Sequence, residues 1–412
     1  METWSERTGL LDGAAAMISA GDVEGAERVL RALLASEPAH ARALQWLGDL
    51  RRRAGDPIAA ARLTGRALRL VPGEPHALLD HGLALRELGR PGVASLAISA
   101  AVDRLPDDFR PRVGLALTLL DVGRAAEAAL QLREAIRLAP GQPESHHLLA
   151  SALYRLHLAG DGEAAVRHAR AWNDAFPGHP IAAHSLASLT GDTRITHAAE
   201  DWVRMTFDRF GASFDHHLHA LAYRVPDRIA TLLGRIRRPS ADADILDLGC
   251  GTGLCGPGLR PFARSLTGVD LSPGMLRQAG AKALYDELAE GELVAYLRGS
   301  GRQWDIVTAA DVFIYIGDLA PAFAATAAAL RPGGWFICSI EDSGCTSGEA
   351  GFVLDASGRY RHHAGHIHRL AAAAGLVVRY DEAIPVRLER GVPLPGRLIA
   401  AVRHTAYPEA AI

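Results

Sequence analysis

Two acidic residues and a glycine-rich turn form the part of this sequence best suited to chemistry. The turn is Gly249-Cys250-Gly251-Thr252-Gly253, and it follows an apolar run that contains Asp247. Glycine allows a tight turn and lets the backbone approach a ligand closely. Asp270 comes nineteen residues after Gly251, at the end of the next apolar run, where a carboxylate can accept hydrogen bonds from both hydroxyls of a ribose. These residues predict a nucleoside-binding site.

The turn alone leaves two kinds of nucleoside cofactor open. The residues from Gly251 to Gly256 also satisfy the G-x-G-x-x-G pattern of dinucleotide-binding proteins, so NAD is one candidate. Asp247 favours the other kind, because a carboxylate there can accept from the ammonium of an amino-acid moiety, whereas it would repel the pyrophosphate of a dinucleotide. The residues therefore favour a cofactor that carries both an amino acid and a ribose.

The elements that must position this turn are predicted strands and helices in alternation. From residue 243 onward, short apolar runs alternate with longer helical patterns, which predicts βαβ units and a mostly parallel sheet. Open sheets of this kind bind ligands at the carboxyl ends of their strands, where the turn and Asp270 both fall. The predicted strands include Ile245–Leu248, Ser265–Val269 and a final antiparallel pair, Leu376–Tyr380 and Leu398–Arg403, with a turn marked by Gly391, Pro393 and Pro395.

Several motifs of this half occur in the order found in class I methyltransferases. Asp247 to Gly253 resembles that family's D-x-G-x-G-x-G loop, Trp304 to Asp311 resembles its fourth strand with the following loop, and Arg331-Pro332-Gly333-Gly334 precedes the fifth strand as in that family. The resemblance covers residues 200 to 403. It implies an S-adenosylmethionine-dependent methyltransferase, with S-adenosyl-L-methionine as cofactor and a Rossmann-like, seven-stranded, mostly parallel sheet whose last strand is antiparallel.

The same resemblance implies where the cofactor is held. Asp270 to Leu276 is similar to the exit of the family's second strand, whose residues lie against adenine. Glu292 and Leu293 fall where the family has an acidic residue near the adenine amino group. The predicted cofactor-binding residues are Asp247, Gly249, Gly251, Gly253, Asp270, Leu271, Met275, Glu292, Leu293, Asp311 and Tyr223.

The N-terminal half is built from a repeat of 34 residues. Prolines recur at that spacing at positions 38, 72, 106 and 140, and glycines keep the same step at positions 21, 55, 89 and 123. Each unit is predicted to be an apolar helix, a turn at the glycine and a second helix that the proline ends. Five such units resemble tetratricopeptide repeats, which implies a helical solenoid with a role in binding proteins or peptides. A dimerisation role is the alternative.

The segment between the repeats and the sheet resembles the start of methyltransferase domains joined to tetratricopeptide repeats. Apolar residues from Phe207 to Leu221 recur at spacings of three and four, which predicts an amphipathic helix packed on the sheet. Asp215, His217 and Tyr223 are not needed for that packing. We therefore predict that they close over the cofactor carboxylate or the substrate, as a lid.

Methyl transfer from a sulfonium is an in-line displacement, so alignment of the reactants and exclusion of water supply most of the acceleration. A general base helps if the acceptor is an amine or a hydroxyl, whereas a carboxylate acceptor needs none. The candidates are Asp311 and Tyr315, after the fourth strand, and His362, in a segment that resembles a motif of the same subfamily. A helix N-cap or a loop hydrogen bond is the alternative role for Asp311, and a half-buried core position is the alternative for Tyr315.

Histidine is abundant after residue 361, but a metal site is not predicted. The cluster contains no Asp or Glu, and this type of methyl transfer needs no metal, so solvated histidines are favoured; its members are His362, His363, His366 and His368. The four cysteines of the chain, at positions 250, 255, 338 and 345, show no C-x-x-C pair and are interpreted as reduced thiols.

Composition limits the partners. The net charge is -3 with both signs interspersed, so no basic stripe for nucleic acid is predicted, and no run reaches the roughly 20 apolar residues of a membrane span. The expectation is a cytoplasmic protein with a repeat domain at 1–190, connecting lid helices at 191–242 and a methyltransferase domain at 243–412. It would methylate an O or N acceptor on a small molecule or natural product. The alternatives are a protein or peptide methyltransferase whose repeats capture the substrate, and a non-catalytic scaffold that binds the cofactor.

Overall fold

The chain contains two compact units. The structure is a computed structural model and describes residues 4–192, 194–210, 214–344 and 351–404. The units are Met1–Trp172 and Asn173–Ile412. Helices after residue 172, including those of the predicted connecting segment, belong to the second unit. The predicted three-part division with limits at 190 and 242 stays a prediction.

The first unit consists of consecutive helices, as the 34-residue period predicts. Glycines 55 and 89 adopt positive φ between paired helices, a conformation that glycine reaches without a steric penalty. Small residues let the helices approach closely: a Cβ on Gly82 would lie 2.4 Å from Cγ1 of Ile98. The helices are α1 Trp4–Ser19, α2 Val23–Ser36, α3 Ala41–Arg53, α4 Pro57–Leu70, α5 Pro75–Glu87, α6 Pro91–Arg104, α7 Phe109–Asp121, α8 Ala125–Leu138, α9 Pro143–Leu158 and α10 Gly162–Ala175.

The second unit begins with four helices and continues as an alternation of strands and helices. The helices are α11 Pro180–Thr190, α12 Glu200–Phe210, α13 Phe214–Ala220, α14 Val225–Ile236, α15 Gly256–Leu259, α16 Pro273–Ala281, α17 Leu293–Gly299, α18 Ala320–Ala329 and α19 Ala364–Ala373. The strands are β1 Ala243–Leu248, β2 Ala263–Asp270, β3 Glu287–Glu290, β4 Trp304–Ala309, β5 Leu330–Glu341, β6 Phe352–Leu354, β7 Tyr360–His362, β8 Leu376–Glu389 and β9 Val392–Arg403.

Seven strands form one sheet in the order β3-β2-β1-β4-β5-β9-β8. The first five pair in parallel, and β9 runs antiparallel to both of its neighbours. Alternate residues of β1 face opposite sides of the sheet, so Ile245 packs with a cluster that includes α14, and Leu246 packs with one that includes α18. The predicted Rossmann-like fold with an antiparallel last strand is confirmed.

The final hairpin is longer than the sequence predicts. β8 and β9 reach Glu389 and Val392, so the turn is confined to Arg390 and Gly391. Pro393 and Pro395 were expected in this turn, but they lie within β9 and pair in register with residues of β8. Proline is tolerated in a strand where its missing N–H is not required. The extension carries the end of β8 past the carboxyl edge of the parallel strands.

A second small sheet was not predicted from the sequence. β6 and β7 form an antiparallel hairpin between β5 and α19. His362 therefore lies on a strand, and α19 begins only after His363, whose Nδ1 accepts from the N–H of Gly365 at the helix start. The expectation that His362 could share a helix face with His366 is wrong for this reason. In the described part of the chain, no group of side chains could hold a metal ion, and no helix is long and apolar enough to cross a membrane.

Candidate functional site

A cavity of about 560 Å³ opens at the carboxyl ends of the parallel strands. The turn after β1 and the end of β2 form one part of its wall, and the residues after β4 form another. Aromatic and aliphatic side chains of α12 and α13, among them Val203, Phe207 and Leu218, also line it. Its size is typical of a site that encloses a small ligand and little more.

Each glycine of the turn is required for a different structural reason. Gly249, Gly251 and Gly253 all adopt positive φ, so a side chain would be strained at each position. A Cβ on Gly249 would lie 2.3 Å from Cγ2 of Val312, and one on Gly253 would lie 2.9 Å from the ring of Tyr285. No heavy atom lies within 4 Å of a Cβ built on Gly251, which lines the cavity. Gly249 and Gly251 therefore border the ligand space, whereas Gly253 is not among the residues that line it.

Asp270 lies where the sequence places a ribose-binding carboxylate. Its Oδ2 accepts from the backbone N–H of Gly251 at 2.9 Å, and its Oδ1 accepts from that of Ser272 at 2.9 Å. These bonds fix the carboxylate between the glycine turn and the start of α16, on the cavity wall. Burial raises its pKa, although the two backbone donors oppose that shift. Each carboxylate oxygen can accept a further hydrogen bond.

Asp247 also lines the cavity, but it is already hydrogen-bonded within the protein. Its oxygens accept from the hydroxyls of Tyr285 and Thr308, both at 2.7 Å. The side chain is 1% exposed, and this burial raises its pKa to about 6. A ligand cation beside Asp247 would favour the ionised carboxylate that burial disfavours. The arrangement suits an ammonium group and does not suit a phosphate.

The other predicted cofactor contacts lie on the same wall. Leu271, Met275, Glu292 and Leu293 all line the cavity. Glu292 also accepts from the N–H of Ala295 at 2.8 Å and so caps the first turn of α17. The structure therefore brings these four predicted residues together on one wall. It also gives Glu292 a second role, as a helix cap, that the sequence did not suggest.

The helices over the glycine turn are attached by two aspartates. Asp208 of α12 accepts from the hydroxyl of Ser272 at 2.6 Å and from the N–H of Gly274 at 3.0 Å. Asp215 of α13 accepts from the hydroxyl of Thr252 and pairs with Lys282 at 2.7 Å. Asp215 was predicted to close over the ligand, but it holds the helix to the turn and does not line the cavity. His217 and Tyr223, the other two predicted lid residues, do line it.

One part of the cavity wall is charged. Asp311 adopts a φ of 58° after β4, and its Oδ2 accepts from Nη1 of Arg387 at 2.8 Å. Arg387 also binds Glu341, whose side chain is fully buried, and Glu341 pairs with Nε of Arg359 at 3.0 Å. Asp311, Arg359 and Arg387 line the cavity together with Tyr315. We call Asp311, Glu341, Arg359 and Arg387 the charged wall.

Two of the predicted general bases are poorly suited to remove a proton. The carboxylate of Asp311 is held in an ion pair with Arg387. Burial raises the pKa of Tyr315 above its ordinary value, so its hydroxyl stays protonated near neutral pH. Burial raises the pKa of Tyr223 in the same way. The hydroxyls of Tyr223 and Tyr315 can therefore donate a hydrogen bond and hold an acceptor without ionising.

The structure does not bring His362 to the cavity. It is fully buried on β7, and its Nε2 lies 3.1 Å from the carbonyl oxygen of Phe313. Burial lowers its pKa to about 4. Among the described residues that line the cavity, His362 does not occur. Its predicted catalytic role is therefore not supported by the geometry, and the expectation of a solvated side chain is wrong. The neighbouring Arg359, which the sequence did not single out, is the residue of this segment that reaches the cavity.

Comparison with known protein families agrees with both halves of the fold. Residues 214–380 match the family described as "Methyltransferase domain". Residues 11–75, 79–143 and 113–180 match the family described as "Tetratricopeptide repeat". The chain carries a methyltransferase domain behind tetratricopeptide repeats. The methyltransferase match contains the glycine turn, Asp270 and three residues of the charged wall, Asp311, Glu341 and Arg359.

Curated relatives match about a quarter of this chain. Methyltransferase-like protein 27 of Homo sapiens is 39% identical over 110 residues, 26% of this chain and 44% of that protein. A ubiquinone biosynthesis O-methyltransferase of Albidiferax ferrireducens is 32% identical over 109 residues, 24% of this chain and 42% of that protein. The chain thus spans less than half the length of these relatives.

Solved structures with similar coordinates are more distant. Magnesium protoporphyrin IX methyltransferase of Synechocystis, with bound SAH, is 16% identical, with a TM-score of 0.40 over 50% of this chain and all of that one. MamA of Desulfovibrio magneticus is 20% identical, with a TM-score of 0.35 over 41% of this chain and 93% of that one.

Proposed function

We propose that this chain transfers a methyl group from S-adenosyl-L-methionine to an oxygen or nitrogen of a small acceptor. The observation that carries the proposal is the single cavity wall formed by the glycine turn, Asp247 and Asp270. It offers a carboxylate for an ammonium group, a second carboxylate for a ribose, and a backbone surface without side chains between them.

The residues of the cavity fit this cofactor. Asp270 would accept from the ribose hydroxyls, and Leu271, Met275 and Leu293 would pack against adenine. Asp247 would face the amino-acid end. NAD fits less well, because Asp247 lies beside the turn where a dinucleotide places its pyrophosphate, and like charges repel most strongly in a buried site.

The chain contributes mainly by positioning and by excluding water. The bound cofactor supplies a methyl group on a positively charged sulfur. Phe207, which contacts the ring of Tyr315 with centroids 5.4 Å apart, and Leu218 cover the cavity with apolar surface and so keep water from the reacting atoms. Tyr223 and Tyr315 hold the acceptor by hydrogen bonds. Because the charged wall offers no free base, an acceptor that enters already ionised suits this site best.

A binding titration tests the proposal directly. We expect the full chain to bind S-adenosylhomocysteine in a calorimeter and to show no comparable heat with NAD. Asp270→Ala should weaken that affinity by about 1–3 kcal/mol, the scale of losing charge-assisted hydrogen bonds. Asp286→Ala is the matched control, because Asp286 is also a carboxylate that accepts a backbone N–H in this sheet, that of Leu266, but it does not line the cavity. Uptake of NAD in place of S-adenosylhomocysteine would refute the proposal.

The acceptor class is tested by following the methyl group. Lysate incubated with the protein and an isotopically labelled methyl donor should carry label in the small-molecule filtrate. Relatives include O-methyltransferases, which supports an oxygen acceptor. Label retained on protein would favour capture of a peptide acceptor by the repeats. Binding without any release of S-adenosylhomocysteine would favour a non-catalytic scaffold.

A further inference from the structure

The charged wall presents two guanidinium groups to the cavity, and the glutamates that pair with them do not line it. Arg359 and Arg387 line the cavity, whereas Glu341 and Glu389, with which they pair, are not among the described residues that do. Asp311 is the one carboxylate of the charged wall on the cavity side. Within this wall, the cavity therefore meets two positive charges and one negative charge.

The protein holds Arg359 in place with a dedicated hairpin. β6 and β7 are only three residues long each, too short to be stable alone, and the hairpin is fastened through its aromatic core. Tyr360, next to Arg359, is fully buried and its hydroxyl donates to the carbonyl of Ile195 at 2.9 Å. His184 lies 2.8 Å from the carbonyl oxygen of Gly358, on the other side of Arg359. The backbone that carries this guanidinium is fixed at both neighbours.

Arg387 is presented by an irregularity in β8. The register between β8 and β9 shifts between Pro385 and Leu388, which leaves Arg387 out of regular pairing. Such a bulge bends a strand and redirects a side chain. The N–H of Leu388 donates to the carbonyl of Leu221 at 2.7 Å, so the residue that follows α13 fixes the backbone at this bend. Both arginines thus reach the cavity through local features that the sheet itself does not require.

Each guanidinium keeps the capacity to bind an anion. Arg387 uses Nη1 for Asp311 and Nη2 for Glu341, and Arg359 uses Nη2 for Glu389 and Nε for Glu341. A guanidinium has five N–H donors in one plane, so these contacts leave further donors on both residues. A planar carboxylate matches this geometry, because it can accept two parallel N–H bonds from one guanidinium.

We propose that the methyl acceptor is a carboxylic acid whose carboxylate is bound by Arg359 and Arg387. This inference rests on the proposed methyl transfer, because it assigns the charged wall of the same cavity, which we call the acceptor end, to the acceptor. Apolar residues that line the same cavity, among them Phe207 and Leu218, then take the body of the acid. Arg359 and Arg387 are specificity-determining residues that touch the substrate.

The test compares a carboxylate with its neutral analogue on the unmodified protein. Benzoate and benzamide have the same shape, and each is titrated into the full chain saturated with S-adenosylhomocysteine. We expect benzoate to bind at least about tenfold more tightly, as for a charge-assisted pair in a partly buried site. Equal affinities, or binding of neither probe to the cofactor-loaded protein, would overturn the inference.

A matched pair of variants locates the effect. Arg361 pairs with Glu341 and Asp355 on the same hairpin but does not line the cavity, so Arg359→Gln and Arg361→Gln each remove one ion pair with Glu341. Only Arg359→Gln should abolish the preference for benzoate, and Arg359→Lys should restore part of it. A preference that persists in Arg359→Gln, or is lost equally in Arg361→Gln, would contradict the assignment.

The cofactor titration separates the two proposals. Loss of benzoate preference with unchanged S-adenosylhomocysteine affinity places the defect at the acceptor end and shows that the variant is folded. If the unmodified chain failed to bind S-adenosylhomocysteine, the proposed function would fall and the assignment of the acceptor would fall with it. If the cofactor bound and benzoate showed no preference, only the acceptor assignment would be wrong.

Discussion

The buried carboxylate of Asp247 gives a prediction about stability that can be worked out from the structure. Its pKa is about 6 in the folded protein, against an ordinary value of 3.8, mainly because burial disfavours the charged form. A difference of about 2 pKa units corresponds to about 3 kcal/mol. Since the folded pKa is raised, the unbound protein is destabilised as the pH rises from the ordinary value through the folded one, and the full cost is present at neutral pH.

Asp247→Asn removes this ionisation while keeping the shape of the side chain. The amide oxygen can still accept from Tyr285 or Thr308, which now hold the two carboxylate oxygens. The variant should therefore gain stability relative to the unmodified chain as the pH rises. Linkage with these two pKa values gives a gap that widens from about 1.6 kcal/mol at pH 5 to about 3 kcal/mol at pH 7. A constant offset from altered hydrogen bonds does not change this slope.

The assay is urea unfolding of both proteins, without cofactor, at pH 5, 6, 7 and 8. Asp244→Asn is the control, because ion pairs with Arg264 and Arg331 lower the pKa of Asp244 below its ordinary value, and its contribution is constant over this range. The same Asp247→Asn variant should bind S-adenosylhomocysteine more weakly. If the difference in unfolding free energy between Asp247→Asn and the unmodified chain stays constant or narrows between pH 5 and pH 7, the argument is refuted. Burial would then not destabilise the ionised carboxylate of Asp247.

Two further predictions follow from the geometry of the turn and of β7. Gly249→Ala should lower the free energy of unfolding by more than Gly251→Ala, because only the former places its methyl group 2.3 Å from Cγ2 of Val312. Urea unfolding measures the stability of both variants. The reverse order would be evidence against the described turn. His362→Gln should lower stability by about 1–3 kcal/mol and leave S-adenosylhomocysteine affinity unchanged, since His362 is buried outside the cavity. Because burial lowers the pKa of His362 to about 4, the unmodified protein loses stability as the pH falls from 6.5. The difference in unfolding free energy between the unmodified protein and His362→Gln should therefore shrink towards pH 5. A weakened cofactor affinity in this variant would show that His362 does act in the site.

The parts of the site that follow from local sequence were predictable. The glycine turn and Asp270 are fixed by short motifs at the ends of neighbouring parallel strands, and such strand ends meet at one edge of the sheet. The 34-residue period predicted paired helices because a fixed repeat with small residues at the contacts has one simple packing solution. These features depend on residues that are close in sequence or on a general rule of chain topology.

His362 was misplaced because its segment has no distinctive periodicity. Each strand of the β6–β7 hairpin is three residues long, so alternation of apolar and polar residues cannot be read from it. Its stability comes from distant contacts, such as the hydroxyl of Tyr360 with the carbonyl of Ile195. A histidine among charged residues therefore looked exposed, whereas the fold buries it and turns Arg359 towards the cavity.

Arg387 shows why the sequence predicted only part of the acceptor end, Asp311 and Tyr315, and not its arginines. The apolar pattern of β8 ends near Tyr380, and the nine residues that follow carry four charges, which favours a loop. In the fold they continue as a strand because β9 extends alongside them, and the register shift before Leu388 turns Arg387 inward. Its partner Glu341 is the last residue of β5, 46 positions earlier, and its burial is compensated by ion pairs with Arg359, Arg361 and Arg387. We therefore expect that a change at either arginine shifts the other through Glu341. Arg387→Lys should weaken benzoate binding both directly and by displacing Arg359.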